Sequence, residues 1–473
     1  MKNTVLAFDF GASSGRAIKA EYENGVLSYK EVHRFENAPI NKDGLLMWNF
    51  ADLMYNLHIG IEKAGKTDSI AIDAWGIDFG ILGEDGNLLS NPVHYRDLRT
   101  KGVSHLACKK IPAAKLYAET GNQIMDMNTL FQLLVTDLSK AKTLLFMPDL
   151  FAYMLCGNAV CEETAASTSQ LLSPVTRQWS QDVLQTFGIP KALFAPMVKS
   201  GTVIGEYKGA KVISTAGHDT QCAVAAMPVQ SENAAFLSCG TWSLLGTELP
   251  LPILSDKSKR LNLSNELGAN GKINYLKNIV GMWLIQESRR EWRRQGKEYS
   301  YGDLERLAAD AKPFQYFINP DSPEFALSGN IPKRVQDYCK STHQGTPETV
   351  GEIMRCIYES LALKYRFALL QIKAVTHKSF DVLHILGGGS KDALLCQMAA
   401  NALNIRVLAG PVEATALGNI VVQLTALGAL RDINEGRELI RKTEAIKEYL
   451  PQDAAVWKSA YKKYLIAAPE RLH

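Results

Sequence analysis

The feature that most restricts what this chain can become is the stretch Leu6 to Arg16, LAFDFGASSGR. An apolar run (Val5, Leu6, Ala7, Phe8) ends in Asp9, and the chain then enters Gly11, Ala12, Ser13, Ser14 and Gly15, where side chains become small. That composition predicts a strand entering a tight turn. Small residues let a phosphate come within hydrogen-bond distance of backbone N–H groups, which a larger Cβ substituent would prevent. Ser13 and Ser14 add hydroxyl donors. The following RAIKAEY is rich in strand formers and closes on Asn24-Gly25, a two-residue hairpin signal, so the turn is expected between two strands. Loops of the GxxxxGK[ST] and GxGxxG types lead instead into a helix, and neither pattern occurs in this stretch. Asp9, at the strand end, suits Mg²⁺ held through water, because that ion takes few carboxylates and keeps much of its hydration shell. An ordinary Gly/Ser hairpin with one turn aspartate would give the same pattern.

A second stretch, AAFLSCGTWSLLGTEL from Ala234, has the same shape, with Gly240, Thr241 and Ser243 at its corner. A separation of roughly 230 residues is too long for a solenoid repeat, and duplication of a whole domain accounts for it. The 473 residues exceed what one core supports, so two domains are expected, 1–234 and 235–473. Lysine and arginine (52) nearly balance aspartate and glutamate (49), and no basic block stands out, which argues against nucleic acid as a partner. The opening MKNTVLAFDF turns acidic at once, and no later run approaches the roughly 18 apolar residues of a membrane span. A cytoplasmic protein without a membrane partner is expected. Its eight cysteines are scattered without zinc spacing and read as reduced thiols.

Between the hairpins, a helix is predicted over 51–63, and an apolar strand through Ile70 and Ile72 meets the turn Trp75-Gly76-Ile77-Asp78. Gly76 permits close backbone approach, while Trp75 and Asp78 offer a flat wall and an acceptor, the parts of a sugar pocket; a core tryptophan and a turn aspartate would look the same. His94 to Arg99 could clamp a polyol or form a solvated ion-pair corner. Helical pattern covers 103–120, Asn128 is placed to cap a helix starting at Thr129, and 147–149 and 164–169 read as loops. In KVISTAGHDTQCAVAAMP a strand runs into Gly217-His218-Asp219-Thr220 and a small-residue helix. Asp219 at that corner could take a proton from a substrate hydroxyl, or simply cap the helix. Further on, YLKNIVGMWLIQES reads as helical, with 287–297 a solvated helix face, and 347–375 is a long helix. VLHILGGGSKD reads as strand, triple glycine and helix start, with room at Gly387 to Gly389 for a base or ribose. A strand at 406–408 and a helix at 414–427 complete a βαβα pattern feeding a nucleotide crevice.

Taken in order, DFGASSGR, IDAWGIDF, YRDLRT, GHDT, SCGTWSL, LKNIVGMWLIQ, LGGG and AGPVEATALGN resemble the FGGY carbohydrate kinases of the actin-like ATPase superfamily, over nearly the full chain. The resemblance implies an α/β fold of two RNase H-like domains flanking a catalytic cleft. It assigns the sugar site and catalytic base to 1–234 and the nucleotide to 235–473, with ATP as donor, Mg²⁺ as cofactor and the 1-hydroxyl of L-rhamnulose as acceptor. Carried over residue by residue, Ala12, Ser13, Ser14, Gly15, Arg16, Thr241, Gln286 and Gly388 would bind ATP. Gly76, His218, Asp219, Thr220 and Asn278 would contact the sugar, with Asp219 as the base. The likeness fades over 297–345. A kinase for another ketose, such as L-fuculose or xylulose, is the alternative within the enzyme class. ATP-driven switches of the same superfamily would need neither Asp219 nor the Trp75-Gly76 pocket.

Overall fold

The computed structural model describes residues 2–469. Two compact units form, and they are not successive halves of the chain. The first takes everything up to Pro228 together with Glu248–Tyr275 and Ala414–Glu444; the second takes Val229–Thr247, Leu276–Glu413 and the chain from Ala445 onward. The compact units therefore cross the 234/235 boundary.

In the first unit, strands β1 (Asn3–Phe10), β2 (Ser14–Glu23), β3 (Val26–Glu36), β4 (Ser69–Ala74), β5 (Thr202–Tyr207) and β6 (Ala210–Ser214) form one sheet in the order β5-β6-β4-β1-β2-β3. The first hairpin is as expected: β1 and β2 run antiparallel around Gly11 to Ser13, and β2 turns into β3 through Asn24 and Gly25, both at positive φ. The second sheet has seven strands; six of them, β7 (Ala234–Cys239), β8 (Trp242–Leu249), β9 (Ile273–Val280), β10 (Val382–Leu386), β11 (Arg406–Ala409) and β12 (Lys447–Tyr449), run β9-β8-β7-β10-β11-β12, and the seventh, Ser264–Leu267, is the edge strand beside β9. In both units the opening hairpin is antiparallel and its first strand pairs in parallel with the fourth. The next pairing outward is parallel and the edge pairing antiparallel. That shared order is the duplication signalled by the two small-residue hairpins.

The helix Ala414–Ala426, expected beside the nucleotide strands, belongs to the first unit and lies on β1 and β4. Its amide side chains explain the docking. Asn419 Nδ2 donates to Asp73 Oδ2 at 2.7 Å, Gln423 Nε2 donates to Leu6 O at 3.1 Å, and Ser69 Oγ donates to Gln423 Oε1 at 2.6 Å, all in a dry interior. Gly418 lets this helix touch the helix Asp219–Ala225, since a Cβ there would fall 1.8 Å from Cys222 O.

Several local expectations change. The helical stretch at 103–120 breaks into Val103–Ala107 and Ala113–Thr120, because Pro112 has no N–H to continue the ladder. Residues 147–149 are not a loop but the first turn of the helix Met147–Cys156, where Pro148 costs no hydrogen bond, and Glu163–Ala166 is a short helix. Asn128 does not cap by its side chain; its amide donates to Gln123 O and Gln170 Oε1. The apolar run at 275–280 is strand β9, and the helix begins only at Trp283. An apolar run of that length fits either state, and Gly281 ends the strand where a Cβ would strike Trp242 and Ser243. In that helix Glu287, Ser288 and Trp292 are buried, so it is not a solvated face throughout.

Candidate active site

In the first unit the candidate residues gather at the carboxyl ends of the strands. Asp9 stands at the end of β1, opposite Arg16 on β2 and beside Asp73 on β4. Arg16 donates to Asp9 Oδ2 from Nε at 2.9 Å and from Nη2 at 2.5 Å. The turn that carries Ala12, Ser13, Ser14 and Gly15 is fixed by Gly11 N donating to Ser14 O and by Asn37 binding Gly11 O and Ser13 O.

The strand β6 leads through Gly217 into His218, and the helix Asp219–Ala225 starts at Asp219. Gly217 is gripped from both sides: Ala74 N donates to its carbonyl at 2.9 Å, and its own N–H donates to Glu162 Oε2 at 3.0 Å. Glu162 is buried and also accepts from Thr164 N, Thr164 Oγ1, Ala165 N and Ser200 Oγ. Asp219 does not cap by reaching along the helix. Its Oδ1 accepts from the adjacent Thr220, N–H at 2.6 Å and hydroxyl at 3.3 Å, and lies 3.4 Å from His218 Nε2. Its side chain keeps 29 % exposure. Burial of its surroundings raises the Asp219 pKa, the His218 charge opposes that, and Asp9 adds to it. Gly76 joins this corner, because a Cβ on it would lie 3.1 Å from Thr168 and 3.3 Å from the His218 ring. The next residue, Ile77, has φ +65°, a strained conformation for a β-branched residue. Thr168 Oγ1 accepts from its N–H at 3.0 Å and Thr129 Oγ1 donates to its carbonyl at 2.6 Å, which hold the strain in place.

Trp75 and Asp78, expected as wall and acceptor, are instead structural. Asp78 is fully buried; Oδ2 accepts from Trp48 Nε1, Trp75 Nε1 and Tyr95 N, and Oδ1 from Gln132 Nε2. Four donors leave it nothing to offer a sugar. Trp48 stacks between Trp75 and His94, each ring centroid 4.0 Å away, and Phe79 is also core. Much of the His94 to Arg99 cluster is engaged within the fold and is not a solvated corner. Burial pushes His94 down to about 3, Asp97 accepts from Leu46 N and Arg99 N, and Arg99 donates to Gln132 and Thr136.

Burial raises Asp78 to about 6 and Glu162 to about 7, above the values near 4 that carboxyls have in an unfolded chain. Between those limits the folded protein binds more protons than the unfolded one, so stability is present at low pH and lost as pH rises through the folded values. Melting temperature should therefore fall from about pH 4 to about pH 7. A melting temperature that climbs over that range in a pH series would show both carboxyls ionised in the fold.

In the second unit, Thr241 sits in the β7–β8 turn and its hydroxyl donates to Gln286 Oε1 at 3.2 Å. The Gly387 to Gly389 turn packs on Cys239, while a Cβ on Gly388 would meet nothing within 4 Å. Thr241, Gln286 and Gly388 thus gather at one end of this sheet. At the start of the helix that follows, Asp392 Oδ1 accepts from Leu395 N at 2.9 Å. Asn278 lies on β9 in the second unit, whereas Gly76, His218, Asp219 and Thr220 belong to the first.

Asp73 was not singled out from the sequence, although IDAW repeats the apolar-run-then-aspartate pattern of AFDF. It is fully buried, its Oδ1 lacks a hydrogen-bond partner, and burial followed by the Asp9 charge raises its pKa well above the usual range. Among the described residues no group of three or more His, Cys, Asp or Glu side chains is arranged to cage a metal. Two neighbouring carboxyls, one with an orphaned oxygen, fit a hydrated Mg²⁺ held through water.

The family model for the N-terminal domain of the FGGY family of carbohydrate kinases matches residues 4–235, and that for the C-terminal domain matches 235–427. The chain is 40% identical over 98% of both lengths to a rhamnulokinase of Bacteroides thetaiotaomicron, and 36% identical to one of Bacillus subtilis, over 94% of this chain and 95% of that one. Among solved structures, a ligand-bound xylulose kinase of Lactobacillus acidophilus superimposes with a TM-score of 0.78 at 18% identity, covering 98% of this chain and 97% of that one. A Plasmodium falciparum glycerol kinase with ADP gives 0.77 at 14% identity, covering 99% of each. Two duplicated α/β units, each opening on a small-residue hairpin, and family matches over most of the length lead to one conclusion: this chain is an enzyme of the FGGY family of carbohydrate kinases.

Proposed function

We propose that this protein phosphorylates the 1-hydroxyl of L-rhamnulose, with ATP as donor, to give L-rhamnulose 1-phosphate and ADP. The observation that carries the reading is Asp219, a partly exposed carboxylate with one oxygen anchored at a strand end beside Gly76 and His218. The full-length likeness to rhamnulokinases supports the choice of sugar. Asp219 Oδ2 accepts the proton of the hydroxyl while the oxygen forms its bond to the γ-phosphorus. The bond from that phosphorus to ADP breaks, and ADP leaves with the electron pair. Because phosphoryl transfer passes through a loose transition state, the base has more to do in orienting the hydroxyl in line than in pulling the proton early.

Ala12 to Arg16, Thr241, Gln286 and Gly388 are the proposed ATP contacts, and Gly76, His218, Thr220 and Asn278 the sugar contacts. Residues 1–234 thus supply the base, most of the sugar site and the hairpin that meets the phosphates, and 235–473 the remaining nucleotide contacts. Asp9, with Asp73 beside it, would hold Mg²⁺ through water. The ion supplies positive charge against the phosphate oxygens. Arg16 orients Asp9 by its paired hydrogen bonds. The reaction belongs in the cytoplasm on this reading, in keeping with eight free thiols; among the described residues no helix is long and apolar enough to cross a membrane.

ATP consumption measured with L-rhamnulose, L-fuculose and D-xylulose tests the substrate. L-rhamnulose is expected to have the highest kcat/KM. L-Fuculose keeps the methyl end of L-rhamnulose and D-xylulose, a five-carbon ketose, lacks it; a methyl contact is worth only about 1 to 3 kcal/mol, so its loss alone should slow D-xylulose by roughly 10- to 200-fold. Altered stereochemistry at a hydroxyl read by Asn278 should cost more, because a polar group covered by the sugar loses its partner. A clear preference for L-fuculose or D-xylulose would overturn the substrate and leave the kinase standing.

A further inference from the structure

His218 lies between two carboxylates. Its Nε2 is 3.4 Å from Asp219 Oδ1, and its Nδ1 is 3.2 Å from Oε2 of Glu266, a buried residue of the strand Ser264–Leu267. That strand comes from the 248–275 segment of the first unit and is fixed on both sides of Glu266. Asn265 N donates to Gly121 O at 2.9 Å and Leu267 N donates to Ser167 Oγ at 3.0 Å. Gln221 Nε2 donates to Glu266 Oε2 at 2.7 Å, and Asn274 Nδ2 donates to Gln221 Oε1. Glu266 is therefore held rigidly against the imidazole.

We propose that Glu266 is a positioning residue for phosphoryl transfer, accepting the Nδ1 proton of His218 and so directing Nε2–H at Oδ1 of Asp219, which leaves Oδ2 to receive the substrate proton. The inference rests on Asp219 being the base. In either neutral tautomer one ring nitrogen would turn a lone pair toward a carboxylate oxygen; only the doubly protonated ring satisfies both neighbours. Gln221 Nε2 is also 3.3 Å from Nδ1, but its shorter bond goes to Glu266. The charges that face His218 are Glu266, Asp219 and Glu162; those that face Asp219 are His218, Asp9 and Asp73. Burial alone would lower the pKa of His218, and the three carboxylates outweigh it and raise it. A positive imidazole in turn lowers the Asp219 pKa against the raising effects of burial and of Asp9, which favours the ionised form that a base requires.

The test combines ring-nitrogen NMR of ¹⁵N-histidine-labelled protein, assigned with His218→Gln, and steady-state kinetics of Glu266→Gln, Glu266→Asp and Asp219→Asn. In the wild type both His218 nitrogens should be protonated at neutral pH. In Glu266→Gln the His218 titration should move down by at least about one pH unit, an opposite charge at this range having been removed. In the same variant kcat should fall by roughly 10- to 100-fold, the range known for loss of the outer partner of a metal-binding histidine, with the KM for ATP unchanged. Glu266→Asp, which keeps the charge, should recover part of the loss. An unaltered His218 titration in Glu266→Gln, or a loss of activity that only follows a lower melting temperature, would overturn the role of Glu266. Asp219→Asn activity within about threefold of wild type would instead remove the base on which the inference rests.

Discussion

Replacing Asp219 by asparagine should cut sugar-dependent ATP turnover by roughly 10²- to 10⁴-fold, the range in which general-base catalysis is lost. The substitution is nearly isosteric, and asparagine Oδ1 can still accept the two Thr220 hydrogen bonds that anchor Asp219, so the corner keeps its shape. What disappears is the second oxygen, because an amide NH₂ cannot accept the hydroxyl proton. The loss should therefore fall on kcat, with the KM for sugar changed little. Initial rates at saturating ATP give the answer, and turnover within about threefold of wild type would refute the assignment.

Gly418→Ala should be among the most destabilising single changes in the chain. Helix propensity alone favours alanine over glycine by roughly 1 kcal/mol, so an exposed site would gain stability. Here the added methyl would sit 1.8 Å from the carbonyl oxygen of Cys222 and 2.5 Å from its carbonyl carbon, with no flexible side chain to yield. Overpacking costs roughly 1 to 3 kcal/mol and occasionally more, and a backbone obstacle puts this position at or above the top of that range. Relief requires the Asp219 helix to move off, so kcat should drop with stability. Urea unfolding with an unchanged midpoint would show that the two helices have slack that their spacing denies.

What could be read in the sequence was what depends on a few adjacent residues. The Gly11 to Ser13 turn, the Asn24-Gly25 hairpin and the Gly217 to Asp219 corner follow from local backbone demands, and all three are where their composition places them. Asp78 shows the limit. Whether a turn aspartate faces outward or collects two indole N–H groups depends on Trp48, thirty residues earlier, and no local pattern encodes that meeting. Strand β9 was hidden because an apolar run suits both states. Glu266 was hidden because its partner His218 lies on another segment, joined only by folding. The helix Ala414–Ala426 has an unremarkable helical sequence; only the match of Asn419 and Gln423 to strand carbonyls of the first unit sends it there.

That helix has a consequence for how the protein is made. The ribosome delivers β1 to β6 early, yet Asn419, Gln423 and Gly418, which close over those strands and over the Asp219 helix, emerge roughly 200 residues later. At about 5 to 20 residues per second the nascent first sheet waits on the order of 10 to 40 s with its β1 and β4 face uncovered. Chaperone demand should be greatest in that interval, and a chain released early, near residue 235, would leave an incomplete core exposed to aggregation.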